Sequence, residues 1–302
     1  MNMKLDFDVL VIGSGPAGMT AAIYLKQADR NVAIIDGNAP GGQLNRINSI
    51  ENYSGFSKIS GPELAFNMFN QLQDNKVDYK YGKVQEIKKE SDYFIVSTEK
   101  EIFSVKAVII ATGRNPKELG LENEKQLLGR GISFCAICDG SLYRNKKIAL
   151  VGNSKETLEE ALYLTNLVSE LLIVIKEEEL IECDLKDKII NNSKIKVINN
   201  SIITKLNSED KKLSSIIIKN IKTNQSEEIE LSALFEYNGY QPNTEFIDCL
   251  KNNGYIVVNQ QMRTNIKGIF ACGDVIDKEV YQVSTAVAEG AIAGLQASKY
   301  ID

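Results

Sequence analysis

Residues 7–36 contain a glycine-rich turn in the setting that most restricts how this chain can fold. The apolar run FDVLVI is followed by GSGPAG, then by the helical stretch MTAAIYLKQADR and the apolar run NVAIID. This order predicts a dinucleotide-binding unit, in which Gly13 permits the tight turn, Gly15 admits a pyrophosphate and Gly18 allows close helix packing. Asp36, at the end of the second strand, is then placed to accept a hydrogen bond from a ribose hydroxyl. A purely structural glycine-rich turn is the alternative.

A second unit of the same type interrupts the first. Residues 148–161, IALVGNSKETLEEA, again contain an apolar strand, a glycine and an amphipathic helix. At 302 residues, the chain has the length expected of about two domains. We therefore expect an α/β fold with two dinucleotide-binding (Rossmann-like, ββα-sandwich) domains, one inserted into the other. The split domain comprises residues 1–115 and 243–302, and the inserted domain comprises residues 116–242.

The composition excludes several classes of function. The chain contains no histidine, which removes Ser-His-Asp and Cys-His catalysis and imidazole metal sites. A formal net charge of -5 argues against general binding to nucleic acid. No apolar run approaches the roughly 18–20 residues that span a bilayer, and MNMKLDFDVLVIGSG lacks a long signal-type apolar region. We expect a cytoplasmic protein with no membrane or nucleic-acid partner.

One pair of the five cysteines has a spacing that is typical of a functional site. FCAICDG places Cys135 and Cys138 three residues apart, a pattern typical of a redox dithiol or of half a metal site. A zinc site needs two further ligands, and the remaining cysteines, Cys183, Cys249 and Cys272, are scattered singly. Asp139 directly follows the pair, so it is a candidate to carry a proton to or from a thiolate. Capping a helix that begins there is its alternative role.

These motifs together resemble the low-molecular-weight thioredoxin reductase family over nearly the whole chain. The shared motifs are GSGPAG, PGGQL, ENYSGF, ATG, CAICDG, GYQPNT, GIFACGDV and QVSTA. The resemblance implies a homodimer with FAD as cofactor and thioredoxin as electron acceptor. It also implies that Cys138 faces the flavin and that Cys135 attacks the disulfide of thioredoxin. Asp139 is then the residue that donates a proton to a thiolate of the pair. No metal is implied.

The resemblance also implies a set of FAD contacts from the first turn, the long 37–60 connection, the strand ends and the C-terminal motifs. These residues are Gly13, Ser14, Gly15, Pro16, Ala17, Gly18, Asp36, Gly37, Gly42, Gln43, Asn52, Val84, Ala111, Thr112, Gly113, Gly273, Asp274, Gln282, Val283 and Ala286.

The second glycine-rich turn departs from the family pattern. The family's NADPH turn resembles GGGxSAxEEA, which places Gly152, Asn153 and Ser154 at its three glycines and Thr157 at its alanine. Ser154 adds a side chain where the backbone has to approach the pyrophosphate. Thr157 adds a β-branched residue where the helix has to lie close to the strand.

The segment that follows the next strand departs as well. The family usually has arginines there that bind the 2′-phosphate of NADPH, whereas this chain reads IKEEEL, with Lys176 followed by Glu177, Glu178 and Glu179. Negative charge repels a phosphate, although an acidic residue suits the free 2′-hydroxyl of NADH. A solvated charge run at a helix start is the alternative interpretation.

Loss of the NADPH site predicts another electron donor. Ferredoxin is the first hypothesis, because a subgroup resembling thioredoxin reductases lacks the nucleotide motifs and takes electrons from ferredoxin through FAD. The alternatives are an NAD(P)H-dependent thioredoxin reductase with an atypical turn, an FAD-dependent dithiol oxidase that uses oxygen, and a redox sensor without turnover. The basic residues Arg144, Lys146 and Lys147 are either a docking site for an acidic partner or a solvated face.

Overall fold

The structure is a computed structural model that describes residues 5–47 and 49–302. The chain divides into two compact units, Met1–Asn115 with Gln241–Asp302, and Pro116–Tyr240. The second boundary therefore lies after residue 240, two residues before the expected position.

The strands alternate with helices in residues 7–81 and 114–198, and they follow one another without an α-helix in residues 78–116 and 195–271. The strands are β1 (Phe7–Ile12), β2 (Val32–Asp36), β3 (Asp78–Tyr81), β4 (Val84–Lys89), β5 (Phe94–Thr98), β6 (Ile102–Ile110), β7 (Arg114–Pro116), β8 (Ile132–Ser133), β9 (Lys147–Val151), β10 (Glu170–Val174), β11 (Ile195–Ile198), β12 (Ser201–Glu209), β13 (Lys212–Asn220), β14 (Ser226–Glu230), β15 (Ala233–Glu236), β16 (Tyr240–Pro242), β17 (Lys251–Asn252), β18 (Tyr255–Ile256) and β19 (Ile269–Ala271). The helices are α1 (Pro16–Gln27), α2 (Gly61–Asp74), α3 (Glu124–Leu127), α4 (Ala136–Asp139), α5 (Lys155–Thr165), α6 (Lys186–Ile190) and α7 (Val283–Ile301). Short 3₁₀ helices span Gly42–Arg46, Gly140–Tyr143 and Gly273–Val275.

The first unit is built on a sheet with the strand order β3-β2-β1-β6-β5-β4, and β19 pairs with the second half of β6. The pairings among β3, β2, β1, β6 and β19 are parallel, whereas β4 and β5 form an antiparallel extension. Parallel strands place their carboxyl ends at one edge of a sheet. The segments that follow β1, β2, β6 and β19 therefore gather at one edge, which is where the first unit's candidate site lies.

Helix α7 completes the first unit by packing on α1. Small residues let the two backbones approach closely, since a Cβ at Gly290 would collide with the carbonyl oxygen of Ala17. Both helices lie against the buried central strands, whose residues Val9, Leu10 and Val11 are inaccessible to solvent. The C-terminal segment thus belongs to the same core as the N-terminal fingerprint, as a split unit requires.

The second unit contains a parallel sheet with the order β11-β10-β9-β15-β8 and an antiparallel sheet β12-β13-β14. Helix α5 follows β9 and buries Leu158, Ala161 and Leu164 in the core of this unit. The carboxyl ends of β8, β9 and β15 bring the cysteine pair, the second glycine-rich turn and Glu236 to the same edge. Together the two parallel sheets confirm the predicted α/β class.

Among residues 5–47 and 49–302, no helix combines the length and apolar character needed to cross a membrane.

Candidate active site

The first glycine-rich turn has the geometry of an anion-binding turn. Gly13 adopts φ +102°, and a Cβ at Gly18 would collide with the carbonyl oxygen of Gly13, so the turn and α1 are in close contact. A Cβ at Gly15 would meet open space. Pro16 is the first residue of α1, and the helix N-terminus has no side-chain cap. Its backbone N–H groups are therefore available to a pyrophosphate.

Asp36 lies beside this turn and is already engaged by it. The backbone N–H and hydroxyl of Ser14 donate to Asp36 Oδ2 at 2.7 and 2.8 Å, and the backbone N–H of Asn38 donates to Oδ1 at 2.9 Å. These bonds fix the carboxylate at the end of β2. Gly37 follows it directly, with the backbone of Lys83 nearby, and Val84 is buried at the start of β4.

The long loop after β2 approaches the same turn. A Cβ at Gly42 would lie 3.5 Å from the Cα of Gly15. Asn52 donates to Gln282 Oε1 at 3.0 Å, so the loop contacts the residue that precedes α7. Val283 packs against the apolar cluster of Leu44, Ile50, Ile59, Leu64 and Ala65. The structure thus brings the loop residues and the C-terminal motif together.

The segment after β6 is held by the segment after β16. The Thr112 hydroxyl donates to the carbonyl oxygen of Asn243 at 2.7 Å, and the Asn243 side chain donates to the carbonyl of Thr112 at 2.9 Å. The backbone N–H of Asn243 also donates to Gly113 at 3.1 Å. Ala111 is buried at the start of this segment. Gln43 donates to the carbonyl of Arg114 at 2.9 Å, which links the long loop to the same place.

The turn after β19 forms a charged cluster at the start of α1. Glu289 accepts from the backbone N–H of Gly273 at 2.9 Å and from Lys278 at 2.8 Å, while burial raises the pKa of Glu289. Ala286, on the same helix, is buried. Asp274 Oδ1 is buried and makes no hydrogen bond among the described residues, although the Lys278 ammonium lies 3.4 Å away. A buried carboxylate oxygen with unused capacity fits the hydroxyl of a bound cofactor.

In the second unit, Cys135 and Cys138 form a disulfide. Cys135 is the N-cap residue of α4 and Cys138 lies within that helix; the Cys135 sulfur accepts from the backbone N–H of Cys138 at 3.2 Å. The hydroxyl of Tyr237 accepts from the backbone N–H of Ala136 at 2.9 Å. Burial raises the pKa of Tyr237, and the neighbouring Glu160 raises it further. The tyrosine therefore remains neutral and accepts a hydrogen bond from residues 135–139, which contain both cysteines and are called the redox turn.

Asp139 does not cap a helix with its side chain. It precedes the 3₁₀ helix Gly140–Tyr143, but its carboxylate makes no cap hydrogen bond there. Instead, Asp139 Oδ2 lies 2.6 Å from the Ser133 hydroxyl. The helix-cap alternative is therefore wrong, because the carboxylate turns back toward the residue before the cysteine pair.

The second glycine-rich turn is closed by its own side chains. Gly152 retains φ +140°, and a Cβ there would collide with the carbonyl oxygen of Tyr237. Ser154 caps α5 by accepting from the Thr157 N–H at 3.1 Å, and the Thr157 hydroxyl accepts from the Ser154 N–H at 3.2 Å. Thr157 is fully buried. The N–H groups that a pyrophosphate would use are partly satisfied already.

Asn153 joins this turn to the acidic segment. Its amide donates to Glu177 Oε2 at 3.2 Å and to the carbonyl of Glu179 at 3.1 Å, and its oxygen accepts from the Ile181 N–H at 2.8 Å. Glu178 forms an ion pair with Lys222 at 2.8 Å. No helix begins at the acidic segment, since α6 starts only at Lys186. The alternative interpretation of a solvated charge run at a helix start is therefore correct about the exposure of Glu177, Glu178 and Glu179 and wrong about the helix start.

The model of the pyridine nucleotide-disulphide oxidoreductase family matches residues 7–290 of this chain. The thioredoxin reductase of Bacillus subtilis (strain 168) is 34% identical over 306 positions, which cover 100% of this chain and 97% of the relative. The chain belongs to the thioredoxin reductase family.

Solved structures of this family share the fold of the whole chain. Lactococcus lactis thioredoxin reductase (FR conformation) has a TM-score of 0.81 at 38% identity, covering 98% of this chain and 99% of that one. A ferredoxin-flavin thioredoxin reductase from Clostridium acetobutylicum has a TM-score of 0.55 at 30% identity, covering 98% and 97%. The predicted fold of two dinucleotide-binding domains is confirmed.

Membership of the family also confirms FAD as the cofactor and identifies the chain as a flavoprotein disulfide oxidoreductase. The first unit has the features that fit this cofactor: the uncapped N-terminus of α1, the open space at Gly15 and the buried Asp274 oxygen, which accepts no hydrogen bond among the described residues.

The sequence does not indicate the contacts of four further residues, which lie at or next to strand ends. Ser133 and Tyr237 contact the redox turn from β8 and from the end of β15. Arg114 lies with its guanidinium carbon 3.7 Å from the ring centroid of Tyr281. Glu236 is 2% exposed, and burial beside Glu124 raises its pKa to about 9. The only sequence signal was a charged residue, Glu236, inside the apolar run ALFEY.

Proposed function

We propose that this flavoprotein reduces thioredoxin through FAD and the Cys135–Cys138 pair, with electrons from reduced ferredoxin rather than NADPH. The observation that carries the choice of donor is the closed turn at Gly152–Thr157. The glycines that admit a pyrophosphate in the family are replaced by Asn153 and Ser154, and both side chains form hydrogen bonds within the protein.

The acidic segment supports the same choice. Glu177 and Glu179 are held beside the turn by Asn153, where the family has arginines for the 2′-phosphate. A phosphate entering here would meet carboxylates of its own charge. To bind NADPH, the protein would also have to break the Asn153 contacts and the capping box, which makes the free energy of binding less favourable. The closed turn and the acidic segment therefore both act against NADPH.

The residues of the redox turn supply the thiol chemistry. Cys138 accepts the electron pair as the disulfide opens, and Cys135 then attacks the disulfide of thioredoxin to form a mixed disulfide. Cys138 resolves this species, which releases reduced thioredoxin and restores the Cys135–Cys138 bond. Asp139 carries the proton that a thiolate gains or loses in these steps. When bound, FAD supplies the conversion between one-electron transfer and the two-electron chemistry of the disulfide.

The direction of electron flow is favourable. A plant-type ferredoxin has a potential near about −400 mV, and a thioredoxin dithiol has a potential near about −270 mV. Two electrons falling through roughly 130 mV release about 6 kcal/mol. Ferredoxin as donor therefore drives the disulfide reduction strongly forward.

The proposal is tested by turnover under anaerobic conditions. Purified protein, thioredoxin and an insulin disulfide substrate are supplied with electrons from ferredoxin, NADPH or NADH in separate reactions. The proposal predicts rapid insulin reduction with ferredoxin and only background rates with the nicotinamides. Rates with NADPH equal to those with ferredoxin would contradict it. A reaction without thioredoxin measures direct reduction of insulin.

A nicotinamide-dependent thioredoxin reductase with an atypical turn is the second candidate. It is supported by the relatives, since the proteins similar to this chain at 34% and 38% identity are named thioredoxin reductase without mention of ferredoxin. The β9–α5–β10 unit also retains its strands, its helix and Gly152. Turnover with NADH or NADPH in the same assay would support this candidate.

We further propose that the protein works in the cytoplasm, and that it is a homodimer, as the resemblance to the family implies. Arg144 and Lys146 are exposed in the second unit, and they are the proposed docking residues for an acidic ferredoxin. Lys147 forms an ion pair with Glu170 at 3.4 Å instead. Reversing the charge of Arg144 and Lys146 should slow reduction by ferredoxin and make it less dependent on salt.

A further inference from the structure

The Ser133 hydroxyl lies among three polar atoms of the redox turn. It is 2.6 Å from Asp139 Oδ2, 3.0 Å from the backbone nitrogen of Cys135 and 3.3 Å from the carbonyl oxygen of Cys135. Ser133 is only 4% exposed. The side chain therefore finds its hydrogen-bond partners within the protein.

The chemistry of the three partners fixes the direction of each bond. The Cys135 N–H can only donate, so the Ser133 oxygen accepts from it. A hydroxyl has one hydrogen, and an ionised Asp139 can only accept. The serine therefore donates to Asp139 when that carboxylate is charged. When Asp139 is protonated, its own O–H donates to Ser133, and the serine hydrogen turns to the Cys135 carbonyl.

We infer that Ser133 is a positioning residue that holds Asp139 in the same place in both protonation states. This role rests on the proposed function, in which Asp139 gains and loses a proton in every cycle. Rotating one hydroxyl hydrogen satisfies both states without moving any heavy atom. The carboxyl group therefore keeps its hydrogen bond to the Ser133 hydroxyl, which also contacts the Cys135 backbone, throughout the cycle.

The sheet gives Ser133 the rigidity that this role requires. Ser133 ends β8, and it pairs with Phe235 of the buried strand β15. On the neighbouring position of the same strand pair, the Leu234 N–H donates to the carbonyl of Gly131 at 2.7 Å. The Asp139 N–H donates to Cys135 at 3.2 Å, so both partners of the serine are themselves fixed. A side chain on a sheet strand is a more precise support than one on a free loop.

The step that tests this role is closure of the disulfide. A prereduced enzyme reacts with the disulfide DTNB: Cys135 forms a mixed disulfide and releases one thionitrobenzoate. Cys138 then loses a proton to Asp139 and displaces the second thionitrobenzoate, so the reagent is reduced as the Cys135–Cys138 bond forms. Stopped-flow absorbance separates the two releases. Neither ferredoxin, nicotinamide nor thioredoxin is present, so the result does not depend on which donor the protein uses.

Ser133→Ala should slow the second release about tenfold, the scale of one hydrogen bond to a charged group, and leave the first release unchanged. Ser133→Thr keeps the hydroxyl and should restore the rate to within about threefold. Asp139→Asn should slow the second release by about a hundredfold. The double variant Ser133→Ala/Asp139→Asn should be no slower than Asp139→Asn alone, because the serine acts through the aspartate.

Ser201→Ala is the matched control, since Ser201 is a buried serine of the same unit that donates to the carbonyl of Asn199 at 2.8 Å. This control should leave both releases unchanged. Retained flavin absorbance and circular dichroism identify variants that fold. Full second-release rates in Ser133→Ala, or effects of Ser133→Ala and Asp139→Asn that multiply in the double variant, would overturn the inference. Failure of the ferredoxin assay alone would leave these outcomes unaffected.

Discussion

Ser154 and Thr157 form a reciprocal pair of hydrogen bonds at the N-terminus of α5, each hydroxyl accepting from the other residue's backbone N–H. The two hydroxyl oxygens lie 2.9 Å apart. This capping box stabilises the helix in the absence of a ligand. The same N-terminus of a dinucleotide-binding helix is normally left for phosphate. The pair therefore occupies backbone N–H groups that a bound phosphate would otherwise use.

Reopening this turn should restore some nucleotide binding. The triple variant Asn153→Gly/Ser154→Gly/Thr157→Ala removes the side chains that occupy it and releases the acidic segment held by Asn153. We expect NADPH to bind at least about tenfold more tightly than to the wild type, measured by calorimetry. Thr165→Ala, at the other end of α5, is the control and should change nothing. Equal affinity of the triple variant and the wild type would show that the turn is not what limits binding.

Glu236 should make the protein less stable as the pH rises. Its pKa is raised by burial and by Glu124 from an ordinary 4.5 to about 9, so the folded protein keeps a proton that the unfolded chain releases. The contribution of Glu236 to the free energy of unfolding is therefore fully present below pH 4.5. It decreases as the pH rises above 4.5 and stops changing above about 9. Glu236→Gln cannot ionise, and its amide can donate to Glu124. We expect it to increase the free energy of unfolding at pH 7 by roughly 3 kcal/mol.

Denaturant titrations at pH 5.5 and pH 8.5 measure this effect. The wild type should be clearly less stable at the higher pH, and Glu236→Gln should remove most of that difference. Glu230→Gln, at an exposed position of β14, is the matched control. The same pH dependence in wild type and Glu236→Gln would rule out the buried carboxyl as its source.

The two cysteines of the redox turn should both be essential for thioredoxin reduction. Cys135→Ser and Cys138→Ser should each reduce turnover to below about 1% of the wild type, while the bound flavin remains. Cys183→Ser changes a half-buried free thiol of the same unit and should keep full activity. Double-digit percentages of activity in either Cys135→Ser or Cys138→Ser would be incompatible with a dithiol mechanism.

Glu289 should support retention of FAD. Its carboxylate accepts from the Gly273 N–H and from Lys278, and removing it leaves that buried ammonium with fewer partners. Glu289→Ala should weaken FAD binding about tenfold, or about 1.4 kcal/mol, as judged by the flavin-to-protein absorbance ratio after dialysis. Glu279→Ala, an exposed position on the preceding segment, should retain the wild-type ratio. Unchanged retention in Glu289→Ala would exclude this support.

The local structure could be predicted from the sequence because the residues that determine it lie close together along the chain. The GSGPAG fingerprint predicted β1, α1 and β2. The cysteine spacing indicated a redox dithiol or half a metal site, and the disulfide agrees with the first of these. Ser154 and Thr157 were identified as departures from the family turn, but the hydrogen bonds between them require the folded geometry.

Contacts between residues that are far apart in the sequence could not be predicted from the sequence. Tyr237 reaches Ala136 across 101 positions, and Ser133 and Phe235 become neighbours only through the pairing of β8 with β15. The acidic segment failed as a helix start because Asn153 takes up the Ile181 N–H and the Glu179 carbonyl. The Asp139 side chain does not cap the following 3₁₀ helix because its carboxylate forms a hydrogen bond with Ser133 instead. In each case a tertiary contact outweighed a local preference.

Anaerobic flavin absorbance shows whether electrons enter through the second nucleotide turn. NADPH, NADH and chemically reduced ferredoxin are added to the oxidised protein in separate cuvettes. We expect rapid bleaching of the flavin by ferredoxin and no bleaching by either nicotinamide. Rapid bleaching by NADPH or NADH would contradict the proposed donor and would identify a nicotinamide-dependent reductase with an atypical turn.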